Sequence, residues 1–371
     1  MEENKQTMEH SLAKLPGPLL AWYRANARDL PWRHTQDPYR IWVSEIMLQQ
    51  TRVAAVLGYY ARFLEAFPSV EALADAPEEA LMKLWEGLGY YSRARNLQKA
   101  AQQIADRGGF PEDYAGLLAL PGIGEYTASA IVSAAFGGRE AAVDGNVLRT
   151  VTRMTDNHAD ITDPKTKKSI RRQVQAILPE TDADMRIFNQ AMMELGATVC
   201  VPNGPPKCLF CPARSICLGH LRGTAETLPV KAPKKARKRE DKTVFLLLQD
   251  GKTALRKRPD TGLLAGLWEF PNVDGALDEA AAPLAVEAWG LTVRAWIAKR
   301  NAKHIFSHVE WHMTGYTVEA AGSGPPDFIW MDAAALKAHA VPSAFARYYA
   351  EAVKLLEAAE QEENHVVLEK E

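Results

Sequence analysis

Leu120–Asn146 reads LPGIGEYTASAIVSAAFGGREAAVDGN, a tight two-glycine turn set between an apolar run (Tyr114–Ala119) and a helix-forming run (Glu125–Ala135). Glycine takes positive φ at no steric cost and shows no Cβ to an approaching molecule. The first amides of the second helix have no partner within that helix and point outward. Gly122 and Gly124 therefore open an anion site of the kind that takes a phosphate. Asp144 follows Gly124 by twenty residues, in Val143-Asp144-Gly145-Asn146. Such turns are common between helices, so this one gains meaning only together with Asp144 and the cysteines downstream. Around it, residues 8–225 read as all-helical. Apolar residues recur at three- and four-residue spacing, as in Ile41, Val43, Ile46, Met47 and in Leu97, Ala100, Ala101, Ile104. Prolines at Pro68, Pro77 and Pro111 mark helix starts.

The chain holds four cysteines, Cys200, Cys208, Cys211 and Cys217, all within eighteen positions. Its polar start (Met1-Glu2-Glu3-Asn4-Lys5) is no secretory signal, so a reducing compartment is expected, where clustered thiols suggest metal. By ligand count, zinc and an iron–sulfur cluster fit equally.

Apolar residues make up 47% and charged residues 24% of the 371, values of an ordinary globular chain long enough for two domains. No apolar run is long enough to span a membrane. The net charge of −2 gives no support for a nucleic-acid partner, which leaves local charge to supply it. Lys165–Arg172 (KTKKSIRR) and Lys231–Lys242 (KAPKKARKREDK) are basic; as DNA-facing patches they read no better than as a solvated helix face for the first and a solubilising linker for the second. Residues 226–242 form the expected linker. Beyond it, Thr243–Gln249, Thr253–Arg258 and Thr314–Glu319 are strand-like, while Leu277–Trp289 and Ser343–Ala359 are helix-like. Residues 243–360 are thus an expected α+β domain, followed by an acidic tail, 361–371.

The turn (114–135), Asp144 and the cysteine loop (200–217) together resemble the helix-hairpin-helix DNA glycosylases, and within them the MutY-type adenine glycosylases. Glu45 lies in the run EIMLQQT, which matches the segment carrying that family's catalytic acid. An arbitrary Glu between Val43 and Ile46 more often sits on an exposed stripe. Buried instead, its pKa would rise and it would serve as a general acid. The resemblance implies that Glu45 protonates N7 of a flipped adenine and that ionised Asp144 stabilises the sugar cation, as paired carboxylates do in glycoside hydrolysis. Bifunctional relatives carry an imine-forming lysine where this chain has Tyr126, so the resemblance implies a monofunctional enzyme with Tyr126 hydrogen-bonding near Asp144. It places Arg28, Trp32, Arg33, Gln190 and Asn146 at the adenine pocket. Gln50, Thr51, Leu88 and Tyr90 fall where the family meets the opposing 8-oxoguanine. It also implies a [4Fe–4S] cluster on the four cysteines, with a first gap of seven residues where six is usual; the Pro/Gly-rich loop absorbs the extra one.

Gly262–Pro271 (GLLAGLWEFP) is similar to the nudix-like domain of the same family, and Phe306-Ser307-His308 matches its lesion-contacting loop. The REx₂EE run that holds divalent metal in nudix hydrolases is missing; Glu287 and Gly290 are its only remnants. The resemblance therefore implies a multidomain protein, all-α then α+β, that removes adenine opposite 8-oxoguanine or guanine in double-stranded DNA. It further implies a monomeric cytoplasmic protein of bacterial origin, with no membrane partner. An endonuclease III-type pyrimidine or mismatched-thymine glycosylase, or an inactive iron–sulfur DNA-binding protein, are the alternatives.

Overall fold

A computed structural model describes residues 12–233 and 236–368, and its chain divides into two compact units. Residues 8–11, Lys234, Lys235 and 369–371 of the expected segments lie outside the described residues.

The first unit, up to Ala76 and from Arg95 to Pro233, is helical. Its elements are α1 (Pro16–Asn26), α2 (Pro38–Leu48), α3 (Val53–Ala66) and α4 (Val70–Ala74). After α5 (Glu78–Trp85), which belongs to the other unit, come α6 (Ser92–Asp106), α7 (Tyr114–Leu118), α8 (Glu125–Phe136), α9 (Gly145–Met154), α10 (Pro164–Gln175), α11 (Asp182–Thr198) and α12 (Leu218–Leu221). Side chains that accept from first-turn amides define several starts: Asp37 for α2, Asp113 for α7, Asp144 for α9, Thr181 for α11. The α8 helix is buried along nearly its whole length because alanine and serine fill most of its middle. Leu19, Val147, Val151, Phe188 and Leu195, all fully buried, join α1, α9 and α11 into one core.

The second unit combines Lys234–Glu371 with Pro77–Ala94. One sheet runs β3 (Trp268–Glu269), β2 (Lys252–Lys257), β1 (Lys238–Gln249), β6 (Val309–Ala321), β5 (Thr292–Ile305). Off this path, β4 (Asn272–Asp274) pairs with β1 and β7 (Phe328–Met331) with β2. The β1–β6 pair is parallel and the remaining pairs antiparallel. Helices α13 (Ala282–Ala288), α14 (Ala333–Ala338) and α15 (Ala346–Leu368) complete the unit. Phe270, Trp311, Phe345 and Leu356 fill one core cluster, and Phe245, Val286 and Val318 another.

Three sequence expectations change. Strand β1 starts at Lys238, inside the expected linker, because pairing with β6 extends from Lys238 through Leu248. Helix α15 runs to Leu368, past the expected end at Ala359, so the acidic residues 360–368 continue a helix. The long edge strand β5 was not expected at all; its burial pattern is nearly all exposed and shows no alternation to read.

Candidate functional site

A cavity of about 520 Å³ opens in the helical unit, and Arg28, Trp32, Arg33, Glu45, Gln50, Thr51, Tyr126, Asp144, Asn146 and Gln190 all line it. They come from the loops on either side of α2, from α2 itself, from the starts of α8 and α9 and from the inner face of α11. Separate helices thus deliver to one hollow the residues that sequence alone had scattered over 160 positions (from Arg28 to Gln190, 190 − 28 = 162).

The two carboxyls have different surroundings. Burial pushes the Glu45 carboxyl up to about 7, a hydrogen bond from Tyr126 pulls against this, and the neighbouring Asp144 charge adds to the rise. Asp144 is also raised by burial, while the Val147 amide, Asn146 and Arg149 favour its anion. Its Oδ1 accepts from Val147 N at 2.8 Å, its Oδ2 from Asn146 Nδ2 at 2.7 Å, and it caps α9, whose amino-terminal dipole favours negative charge. Asp144 thus has more neighbours favouring its anion than Glu45 has. The Tyr126 hydroxyl donates to Glu45 Oε2 at 2.7 Å, with Met193 Sδ at 3.0 Å beside it, in the cavity that Asp144 also lines.

Sequence reading missed Glu194. Its carboxylate is buried, and it receives Arg28 Nε at 2.7 Å, Arg28 Nη2 at 2.6 Å and Arg33 Nη2 at 2.6 Å. Burial works against the charge, but the two guanidinium groups prevail and hold Glu194 down at about 2. The clamp fixes both arginines in the cavity wall. An acid inside the apolar run Met192–Leu195, four residues beyond Gln190, was the available signal. Tyr23, also missed, donates to Gln190 Oε1 at 2.7 Å.

The glycines of the hairpin divide their work. Gly122 has φ +75°, and a Cβ there would lie 2.7 Å from Asn96 Cβ, so only glycine fits. Gly124 has ordinary φ as the N-cap of α8; a Cβ there would meet nothing within 4 Å, and no side chain caps the helix. This open approach to uncapped amides is what an anion requires. Of the expected lesion contacts, Gln50 (φ 57°) and Tyr90 (φ 48°) both hold left-handed backbone, an uncommon state for residues with side chains that collects at functional positions. Leu88 is buried, Tyr90 exposed, and both belong to the second unit. In that unit Phe306, Ser307 and His308 form the β5–β6 turn. Phe306 packs on His304 and Trp311, and Ser307 Oγ lies 3.2 Å from His308 Nδ1.

Cys200, Cys208, Cys211 and Cys217 line one hollow beside Arg153 and His220. The Pro/Gly-rich loop before Cys208 turns at Gly204 (φ 76°) and is tied back by Lys207 N to Val199 O at 3.0 Å. Burial pushes Cys211 up to about 12 and Cys217 to about 11. Arg149 connects this loop to the cavity: Nε donates to Cys200 O at 2.8 Å and Nη2 to Asn146 Oδ1 at 2.9 Å, and Asn146 holds Asp144. Among the described residues no three His, Cys, Asp or Glu side chains stand close enough for one metal ion, and no helix is long and apolar enough to cross a membrane.

A family model of HhH-GPD superfamily base excision DNA repair proteins matches residues 43–179, and a NUDIX domain model matches 243–351. The adenine DNA glycosylase of Rattus norvegicus is 35% identical over 368 residues, covering 83% of this chain and 70% of its own. That of Buchnera aphidicola subsp. Baizongia pistaciae is 35% identical over 309 residues, covering 80% of this chain and 83% of its own. A thermostable thymine-DNA glycosylase structure aligns at TM-score 0.52 and 28% identity, covering 57% of this chain and 98% of its own.

Proposed function

Because the chain belongs to the adenine DNA glycosylase family, we propose that it removes adenine from double-stranded DNA where that base is mispaired with 8-oxoguanine or guanine. The observation that carries this reading is the carboxyl pair: Glu45 raised to about 7 and Asp144 held by two hydrogen bonds at a helix start, in one cavity. The flipped base enters the cavity and Glu45 donates its proton to N7, which makes adenine a leaving group. Asp144 stabilises the oxocarbenium character left on the sugar until water adds. Arg28, Trp32, Arg33, Gln190 and Asn146 surround the base. Tyr126 offers no amine for an imine, so strand cleavage does not follow base removal.

Gly122 and Gly124 hold a backbone phosphate. Gln50 and Thr51 enter the stack, and Leu88, Tyr90, Phe306, Ser307 and His308 read the opposing base. The nudix-like domain acts in binding alone, since its short helix α13 keeps only Glu287 of a metal-holding set.

The four cysteines hold a [4Fe–4S] cluster. Their side chains line one hollow, and the family resemblance favours a cluster there over zinc. When bound, the cluster ties loop 200–217 to the helical core through its four thiolates. Iron analysis of anaerobically purified protein tests it; one zinc per chain and no colour would overturn it.

The test of function is single-turnover release of adenine from duplexes containing A·8-oxoguanine, A·G and A·T. Release from the first two with little from the third is expected, with nicks only after alkali. Excision of damaged or mispaired pyrimidine would point to the endonuclease III branch, and tight binding without release to an inactive DNA-binding protein.

A further inference from the structure

A second cavity, of about 340 Å³, adjoins the first; Arg33, Ala134 and Gln190 line both. Helix α11 shows how the two are related. Ala183, Arg186, Ile187 and Gln190 face the second cavity, and Gln190, Met193, Glu194 and Ala197 face the first. Each set has the spacing i, i+3, i+4, i+7, so together they form one stripe down one helix. From Ala183 to Ala197 that stripe covers about 21 Å, at ~1.5 Å per residue. The opposite wall is α8, where Ala130, Ser133 and Ala134 keep side chains small. At the far end Gln36 and Ala183 are exposed, so the second cavity meets solvent away from the carboxyl pair.

We propose that this second cavity is the exit route of the released purine. The proposal rests on the reading that adenine is cleaved in the first cavity. A flipped base enters with its sugar attached, and after the bond breaks the sugar and strand still fill that mouth. While that strand stays bound, the free base needs another opening to leave. The dividing wall is suited to passing a purine. Gln190 is anchored through Oε1 by Tyr23, and its amide N–H₂ has no protein partner among the described residues. Arg33 is held to one side by Glu194 and by the Arg28 carbonyl. Thr35 and Arg186 line the space beyond, where a hydroxyl and a guanidinium match the exocyclic amine and ring nitrogens of adenine.

Ala183→Trp tests this, because an indole on the exposed first turn of α11 would close the outer opening without entering the core. Gln36→Trp closes it from the other rim, on a different element. With labelled adenine in an A·8-oxoguanine duplex, alkaline quenching reads bond cleavage whether or not the base has left. Rapid desalting of the enzyme–DNA complex reads how long the base stays. Cleavage within about twofold of wild type, with adenine retained about tenfold longer or more in both variants, is expected. Normal cleavage with wild-type release would overturn the proposal and send adenine out by the DNA-facing mouth. Slowed cleavage in both variants would overturn it too, by making the second cavity part of the reaction chamber. A wild-type protein that frees no adenine would instead remove the functional reading on which the proposal rests.

Discussion

Glu45 and Glu194 are both Glu in apolar helices of one cavity, yet their surroundings drive them in opposite directions. Glu45 has one hydrogen bond from a neutral phenol and an acidic neighbour, so burial prevails and the proton stays to about 7. Glu194 has two guanidinium groups, so it stays ionised to about 2. In the proposed mechanism Glu45 acts in its protonated form, and the single-turnover rate should therefore fall as pH rises through about 7. Tyr126→Phe deletes a hydrogen bond that favours the Glu45 anion, which moves this descending limb to higher pH. An unmoved limb would mean that another group sets the profile. Glu45→Gln keeps the volume without the proton and should slow base release by roughly 10²–10⁴ while DNA binding persists, read by single-turnover kinetics beside a binding titration. Glu194→Gln leaves two arginines without their shared anion. A loss of about 3 kcal/mol in denaturant unfolding is expected, the low end for a broken buried pair because Arg28 is 39% exposed and reaches water. Its stabilising share is present above the ordinary carboxylate range and should fade as pH falls toward 2.

Among the elements, the hairpin α7–α8 gives the sharpest contrast. Gly122 must be glycine for conformation and space, whereas Gly124 has neither constraint. Gly122→Ala should therefore destabilise the turn by more than about 1 kcal/mol, through left-handed φ and the Asn96 contact. Gly124→Ala should leave the melting temperature unchanged yet weaken duplex binding, by placing a methyl where a phosphate approaches. Thermal melting and DNA titration at fixed salt separate the two; equal melting losses would mean that the glycines share one structural role. The hairpin was legible because its signal is local: glycine, helix start and a capping Asp lie within one short stretch. Strand β5 left no such signal, being an exposed edge held by β6 with its burial fixed from outside the segment.

In the molecule as a whole, the segment Pro77–Ala94 groups with the C-terminal residues although the chain places it among the helices of the other unit. Glu86 Oε1 accepts from Val341 N at 2.9 Å, and Lys83 Nζ donates to His339 O at 3.2 Å. Leu88 and Tyr90 therefore belong to the same unit as Ser307 and His308, more than two hundred residues later (307 − 90 = 217). Glu86→Ala should loosen that association and lower the ratio of A·8-oxoguanine to A·G excision rates by about tenfold, close to Ser307→Ala, with A·G excision nearly unchanged. An unaltered ratio would mean that the segment reads the lesion independently of the C-terminal residues. The sequence by itself determined the helical and α+β halves, the hairpin and the four thiols, because each is written in short-range spacing or in residue types that few other roles require; the pairing of Glu45 with Asp144 came from the family resemblance. Only tertiary structure decided that Tyr126 serves Glu45, that Glu194 fixes the arginines, and that Pro77–Ala94 joins the sheet-bearing unit. Those choices depend on which distant surfaces pack together, and burial, not spacing, selects the partners of a buried polar group.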